Sequence, residues 1–435
     1  MQQLITGGML KEGVWQSSSC LEVKDGRIID ISECVTAGGG PADYILPGMA
    51  NCHSHVFQRA MAGLTEYRCG GEDVAEDNFW TWRTLMYQQA GTMTPDRLEE
   101  IAADCYREMV QRGYTSVGEF HYLHNSHIGQ QLAMAEAIIR AAKTAGIGLT
   151  LLPVFFETAG FGDSEPGETQ RPFVMDVSRY ISFLKALAAR IERPNRLGVA
   201  FHSLRAVKPG SFAPILSALN AIDDQAPIHI HIAEQLQEVE DCVQHTGMRP
   251  IEWLMEHQPV DSRWCLVHAT HLTDAEIKSI ADSGAIVGLC PTTEANLGDG
   301  IFPLQAFLAA GGNFCIGSDS NVCLDPCEEL RLLEYTQRLI DKRRVILTPN
   351  DGNHVGASLW AHAARYGGLA LGRSSGTVSK GEVADLVFLD AKHSVLSNAN
   401  GAQVADAYVF VSEGGQIKKT VVAGHPVWEK RGISV

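Results

Sequence analysis

Apolar residues in this chain fall into short runs that end at polar residues or glycines, with longer segments of helical spacing between them. The runs are YILPGMANCHSH, TSVGEFHYLH, GIGLTLLPVFF, RLGVAFHSLR, PIHIHIAEQ, RWCLVHATH, AIVGLCPTTEA and NFCIGSDS, and each reads as a strand. Segments such as LEEIAADCYREMVQRG and PILSALNAI follow most of them and read as helices. Eight strands with intervening helices over about 330 residues are the sequence form of a (β/α)8 barrel with insertions. A doubly wound open sheet competes with it, but no glycine-rich phosphate loop follows the first strand.

The two ends of the chain carry a different pattern. QLITGGML and CLEVKDGRIIDI, with its Asp-Gly turn, are short β-runs. GEVADLVFLD and DAYVFVSEGGQIKKTVVAGHPVW near the other end read the same way. Composition allows one small β-sandwich built from both termini, or two unrelated appendages. The division expected is residues 1–46 and 376–435 for that sandwich and residues 47–375 for the barrel.

The chain has 435 residues, 45% hydrophobic and 20% charged, which is ordinary for a soluble globular protein with a sizeable core. Its formal net charge of −16 argues against nucleic acid or anionic membrane as partners, because both reward a basic surface. An anionic substrate would need locally placed arginines to overcome that field. The 11 cysteines include no C-x-x-C pair, so free thiols in a reducing compartment are the simpler reading. No basic-then-apolar export signal and no apolar run long enough for a membrane span is visible, so a cytoplasmic location is expected.

The reactive residues cluster where the strands end. The first ends in His53 and His55, the second in Glu119, His121 and Tyr122, and the fourth in His202 and Arg205. His231 and Glu234 close the fifth, His268 the sixth, and Ser318 and Asp319 the eighth. A lone histidine at a strand end is more often a hydrogen-bonded structural residue, and a bare H-x-H also suits two surface histidines. Six strand ends agreeing is harder to explain that way, because in a barrel they converge on the mouth where such folds place chemistry. His53, His55, His231 and Asp319 supply three nitrogens and one carboxylate oxygen, a donor set suited to a divalent first-row ion with a position left for water. Glu234, three residues after His231, lies close enough to reach that water, and His268 can donate a hydrogen bond to a developing oxyanion.

The motifs HSH, HIAE, VHATH, LCPTTEANLGDG, GSDS and GTVSKGEVADLVFLD together resemble the amidohydrolase superfamily, and within it the metal-dependent deaminases. The resemblance covers nearly the whole chain and implies the two-ended β-sandwich. Many members hold two metals bridged by a carboxylated lysine on the fourth strand; here His202 stands in that region and Lys208 comes too late, which favours one zinc ion per chain. His231 is preferred over the neighbouring His229 as ligand because it completes the family's H-x-x-E, and His229 is assigned to the barrel interior. CHSHVFQRAMAGL, NFWTWRTLMY, GEFHYLH, FHSLRAV and TTEANLGDGIFP further resemble the deiminases that act on N-formimino-L-glutamate.

That resemblance implies a small anionic amidine as the partner, hydrolysed with release of ammonia in histidine degradation. Asp319, Glu234 and His268 would do the proton transfer and charge stabilisation, and Gln58, Arg83, Tyr122, His202 and Arg205 would hold the substrate. Arginine forks suit the two carboxylates of such a molecule. The plain alternative has Arg83 capping a helix and Arg205 solvated, with the tryptophans of FWTWR as loop anchors. A guanine-like or adenosine-like ring is the rival substrate, and a non-catalytic barrel, which predicts lost ligands, is the rival class. A homodimer is left open as the assembly.

Overall fold

The computed structural model describes residues 2–33, 43–66, 77–124, 131–162, 164–348, 352–411 and 414–430. The chain enters through β1 (Gln2–Lys11), β2 (Val14–Lys24), β3 (Arg27–Glu33) and β4 (Tyr44–Pro47). The first two hairpins close through left-handed pairs, Glu12–Gly13 and Asp25–Gly26, the conformation that two-residue turns between twisted strands demand. Near the other end, β14 (Leu386–Leu389), β15 (Ile417–Val422) and β16 (His425–Glu429) join them in one seven-stranded sheet, ordered β16-β15-β14-β4-β1-β2-β3. The two ends meet where β14 runs antiparallel to β4, pairing Leu386 with Pro47 and Leu389 with Tyr44. The sheet closes over its own core of Leu4, Met9, Leu21, Ile28, Leu386 and Phe388, with Ile28 N–H donating to the Glu382 carbonyl at 2.9 Å.

Between these ends lies the parallel barrel. Its strands are β5 (Met49–Ser54), β6 (Tyr114–His121), β7 (Gly148–Phe155), the short β8 (Arg196–Leu197) and β9 (Val199–Phe201), β10 (Ile228–Ile232), β11 (Trp264–His268), β12 (Ile286–Leu289) and β13 (Asn313–Ile316). β8 and β9 share one position, so eight places complete the circle. β6, β7, β10 and β11 are buried along their whole length, which is why they read as continuous apolar runs rather than alternating ones. The circle closes just beyond β13. Ser54 and Asp319 form a parallel bridge, Asp319 N–H donates to the His53 carbonyl, and His55 N–H donates to that of Asp319, both at 2.9 Å.

The helices cover the barrel with one apolar face. Pro95–Gln111 starts at Thr94, whose hydroxyl accepts from Arg97 N–H, and buries Leu98, Ala102, Cys105, Tyr106 and Met109 at helical spacing. One expected strand is a helix: DAYVFV lies within Gln403–Val411. Its aromatic and β-branched residues suit a strand locally, but Val404, Ala405, Tyr408 and Val409 share one face that packs on the helix Val355–Ala370. There the Tyr408 and Trp360 rings lie 5.2 Å apart, and the Asp406 carboxylate accepts Gly356 N–H at 2.7 Å. Tertiary contact overrides local preference here. The tryptophans of FWTWR also sit in a helix, Phe79–Gly91, rather than a loop, because Asn78 and Thr81 form a capping box ahead of it.

Candidate metal centre and active site

A register irregularity between Asn51 and Ser54 lets His53 and His55 both reach the barrel mouth from the end of β5. His53 Nε2 lies 3.1 Å from His55 Nε2 and 3.0 Å from His231 Nε2. Asp319 Oδ1 lies 3.4 Å from His53 Nε2 and 3.3 Å from His55 Nε2. His55 Nδ1–H donates to the Phe120 carbonyl at 3.0 Å, which leaves Nε2 as a bare lone pair aimed into the cluster. Burial holds these rings neutral: the His55 pKa falls to about 3, through burial first and the His53 charge second, and burial lowers His53 and His231 too. Asp319 would be raised by burial, but its hydrogen bond to His53 and the surrounding imidazoles outweigh that and keep it ionised. Lone pairs crowded at this range repel one another unless a cation sits among them. Tetrahedral zinc with bonds of about 2.0–2.1 Å separates its ligand atoms by roughly 3.3–3.4 Å. The donor set fits a divalent ion.

The turns after the strands aim the remaining groups. Ala233, His268, Ala269 and Asp319 have φ of 52°, 68°, 49° and 44°, a left-handed conformation costing about 1–2 kcal/mol per residue. At the first of these turns the Glu238 carboxylate accepts the N–H groups of Ala233 and Glu234, each at 3.2 Å. At the last, Asn51, Ser318 and Asn321 form a buried network: Asn51 Nδ2 donates to Ser318 Oγ at 2.6 Å and Asn321 Nδ2 to the Asp319 carbonyl at 3.1 Å. His268 Nδ1 lies 3.2 Å from Glu294 Oε1, and its Nε2 faces Glu234 Oε1 at 3.9 Å and Asp319 Oδ2 at 3.8 Å. Burial would lower the His268 pKa, yet the carboxylates of Glu234, Glu294 and Asp319 raise it well above the ordinary value. Glu234 is pushed up to about 7 by burial, against the pull of His268 and Arg205. A carboxyl and an imidazole poised to exchange protons therefore stand beside the donor cluster.

Above the cluster lie the groups singled out for binding. Gln58 Nε2 donates to Tyr122 Oη at 3.0 Å, leaving Gln58 Oε1 buried without a partner. The Tyr122 ring meets His55 edge-on at 4.9 Å, and His202 meets His231 at 5.3 Å. Arg205 is only 8% exposed, so the solvated alternative fails; its Nε reaches Ser203 Oγ at 3.4 Å and its Nη1 has no partner. Arg83 is not a cap: it lies within the helix Phe79–Gly91, stacked over Trp80 at 4.4 Å and Tyr87 at 5.6 Å. Among the described residues, neither arginine forms an ion pair with a carboxylate.

Other strand-end residues stay outside this constellation. His121 packs on His124, and Glu119 accepts Val56 N–H at 3.0 Å and the Tyr106 hydroxyl at 3.1 Å. His229 turns away, its Nε2–H donating to the Ala370 carbonyl at 2.8 Å. Glu294, the partner of His268, was not singled out although it lies in the quoted TTEANLGDG; it sits in the short helix Pro291–Leu297 after β12, and its local sequence gave no hint of which strand end it would reach. A cleft of about 860 Å³ between the tip of the first hairpin, Phe314 and His362 contains none of these groups. Volume does not locate the chemistry here.

The chain matches the model of the amidohydrolase family over residues 44–427. It is 46% identical to the formimidoylglutamate deiminase of Pseudomonas aeruginosa, across 96% of this chain and 92% of that one. A 5-methylthioadenosine/S-adenosylhomocysteine deaminase of Natronomonas pharaonis is 28% identical, across 89% of this chain and 82% of its own length. Among solved structures, an amidohydrolase from Brucella melitensis superposes with a TM-score of 0.90 at 42% identity, covering 98% of this chain and 94% of that chain. A zinc-bound adenosine deaminase from Xanthomonas campestris shares the fold at a TM-score of 0.78 and 22% identity, covering 98% of this chain and 92% of that chain.

Proposed function

The chain belongs to the amidohydrolase family, and from that premise we infer that it hydrolyses the formimino carbon–nitrogen bond of N-formimino-L-glutamate. The products are N-formyl-L-glutamate and ammonia. Beyond the 46% identity to a deiminase of that name, the observation that carries the substrate is the pair of guanidiniums, Arg83 and Arg205, without a carboxylate within 4 Å among the described residues at the barrel mouth. In a chain of net charge −16, cations without a close carboxylate beside a buried site call for an anionic ligand. A purine-like ring would instead ask for flat apolar and amide contacts. A non-catalytic barrel would have lost donors that are present here.

The family is metal-dependent, and we assign one zinc ion per chain to His53, His55, His231 and Asp319. When bound, the ion supplies Lewis acidity and lowers the pKa of a water toward neutrality. Asp319 takes the proton of the attacking water. Glu234 carries protons to the departing nitrogen, a task suited to a carboxyl whose pKa is near 7. His268, kept charged by the carboxylates around it, donates a hydrogen bond to the oxygen on which negative charge develops. Gln58, Tyr122 and His202 shape the space around the amidine, while Arg83 and Arg205 take the carboxylates. We assign residues 47–375 to the catalytic barrel, and residues 1–46 with 376–435 to the sandwich. The enzyme would serve histidine degradation in the cytoplasm; no helix among the described residues is long and apolar enough to cross a membrane.

Ammonia release by the metal-replete protein, measured over formiminoglutamate, formiminoaspartate, guanine and adenosine, tests this directly. Formiminoglutamate should give the highest kcat/KM. Preferred turnover of either ring substrate would replace the assignment.

A further inference from the structure

One motif has no role in the mechanism above. The helix Phe79–Gly91 begins with Trp80 in its first turn, held there because Asn78 Oδ1 accepts the N–H groups of Trp80 at 2.9 Å and Thr81 at 3.3 Å. Arg83 follows three residues later on the same face and stacks on the indole, its Cζ 4.4 Å from the ring centroid. Arg205, from the loop after β9, approaches the same ring, with its Cζ at 5.5 Å. One indole therefore serves two guanidiniums of like charge; among the described residues neither has a carboxylate within 4 Å, and Glu234 acts on both only from farther away. Such cations would ordinarily move apart or recruit a carboxylate from the chain. An aromatic face attracts a cation without neutralising it, and stacking leaves the in-plane N–H donors free for a ligand.

We propose that Trp80 is a specificity-determining residue that fixes the spacing of Arg83 and Arg205, and so selects a five-carbon dicarboxylate over a four-carbon one. This rests on the substrate reading above and deepens it. The ring touches no reacting atom; it acts by holding two donor forks at a set separation before the ligand arrives. Pre-organised donors favour the ligand whose carboxylates match their spacing and penalise one that leaves a buried fork unpaired.

Glutarate and succinate carry the two carboxylate spacings without the amidine, so their binding can be measured apart from turnover. Calorimetry on the metal-replete protein should show glutarate preferred by at least about ten-fold. Trp80→Leu should weaken glutarate binding by roughly ten-fold or more and bring the glutarate-to-succinate ratio close to one. Trp80→Phe, which keeps an aromatic face, should retain most of the preference. In turnover, Trp80→Leu should raise KM for formiminoglutamate far more than it lowers kcat, and leave hydrolysis of formamidine nearly unchanged. If Trp80→Leu does not fold, Trp80→Gln, also without an aromatic face, decides in its place. An unaltered ratio in a folded variant overturns the role of Trp80 alone, as does equal damage to formiminoglutamate and formamidine. A wild-type protein that binds neither dicarboxylate would overturn this role and the carboxylate reading together.

Discussion

The floor and the rim of the barrel mouth are built on opposite principles. On the floor, His53 Nε2 lies 3.0–3.4 Å from donor atoms of His55, His231 and Asp319, a set that finds its charge balance in the cation it suits. On the rim, Arg83 and Arg205 rest on aromatic faces without an ion pair among the described residues, and Arg205 Nη1 is buried without a hydrogen-bond partner. The floor converges on one point and the rim is waiting. In the function proposed above, the floor would serve a reaction that many relatives can share, whereas the rim would select which molecule reaches it.

Breaking the floor should cost the most. Asp319→Ala removes a metal donor and a proton acceptor together, so activity should fall by more than about 10⁴-fold. Elemental analysis should show close to one equivalent of divalent metal in the wild type and much less in the variant. Full metal content in Asp319→Ala would exclude this carboxylate from the coordination sphere.

Glu234→Gln separates the floor's two tasks. The amide cannot carry protons, so turnover should drop about 10²- to 10⁴-fold while the metal stays. Near-normal rates would remove Glu234 from the mechanism.

Arg205→Met moves the test to the rim. Losing one charge-assisted hydrogen bond of roughly 1.5–3 kcal/mol should lower kcat/KM for formiminoglutamate by about 10- to 150-fold. Formamidine, which has no carboxylate, should be nearly unaffected. Equal slowing of both substrates, at an unchanged melting temperature, would make Arg205 structural.

Salt should give the smallest effect. Raising ionic strength from about 0.05 M to about 0.5 M screens the partly exposed Arg83, and KM for formiminoglutamate should rise about three-fold with kcat unchanged. A fall in kcat instead would mean that salt acts on the buried floor.

The floor was legible in the sequence because its residues sit at strand ends, where a local motif such as H-x-H or H-x-x-E already states which side chains leave together. The barrel was legible for a related reason, since strands buried on both faces show as unbroken apolar runs. The rim was less so. Arg83 and Arg205 could be named only by resemblance, and Trp80 passed for a packing residue because its importance lies in what two distant segments bring to it. Glu294 was hidden similarly: a carboxylate in a short helix says nothing about the imidazole it will face. DAYVFV misled because its composition favours a strand and only the neighbouring helix decides otherwise.

The bridge between Ser54 and Asp319 closes the barrel with the same stretch of backbone that carries the donors proposed for the metal. Positions 53 and 55 are made before most of the barrel, whereas position 319 is made after most of it. A growing chain through β10 already owns all three imidazoles, yet it has neither the carboxylate nor the closed seam. Tight metal capture therefore belongs to the completed chain, and an ion held there links the first, fifth and last strands like a clasp. A cell short of the metal would accumulate barrels whose weakest line is this seam, and proteases should find them first between β13 and β5.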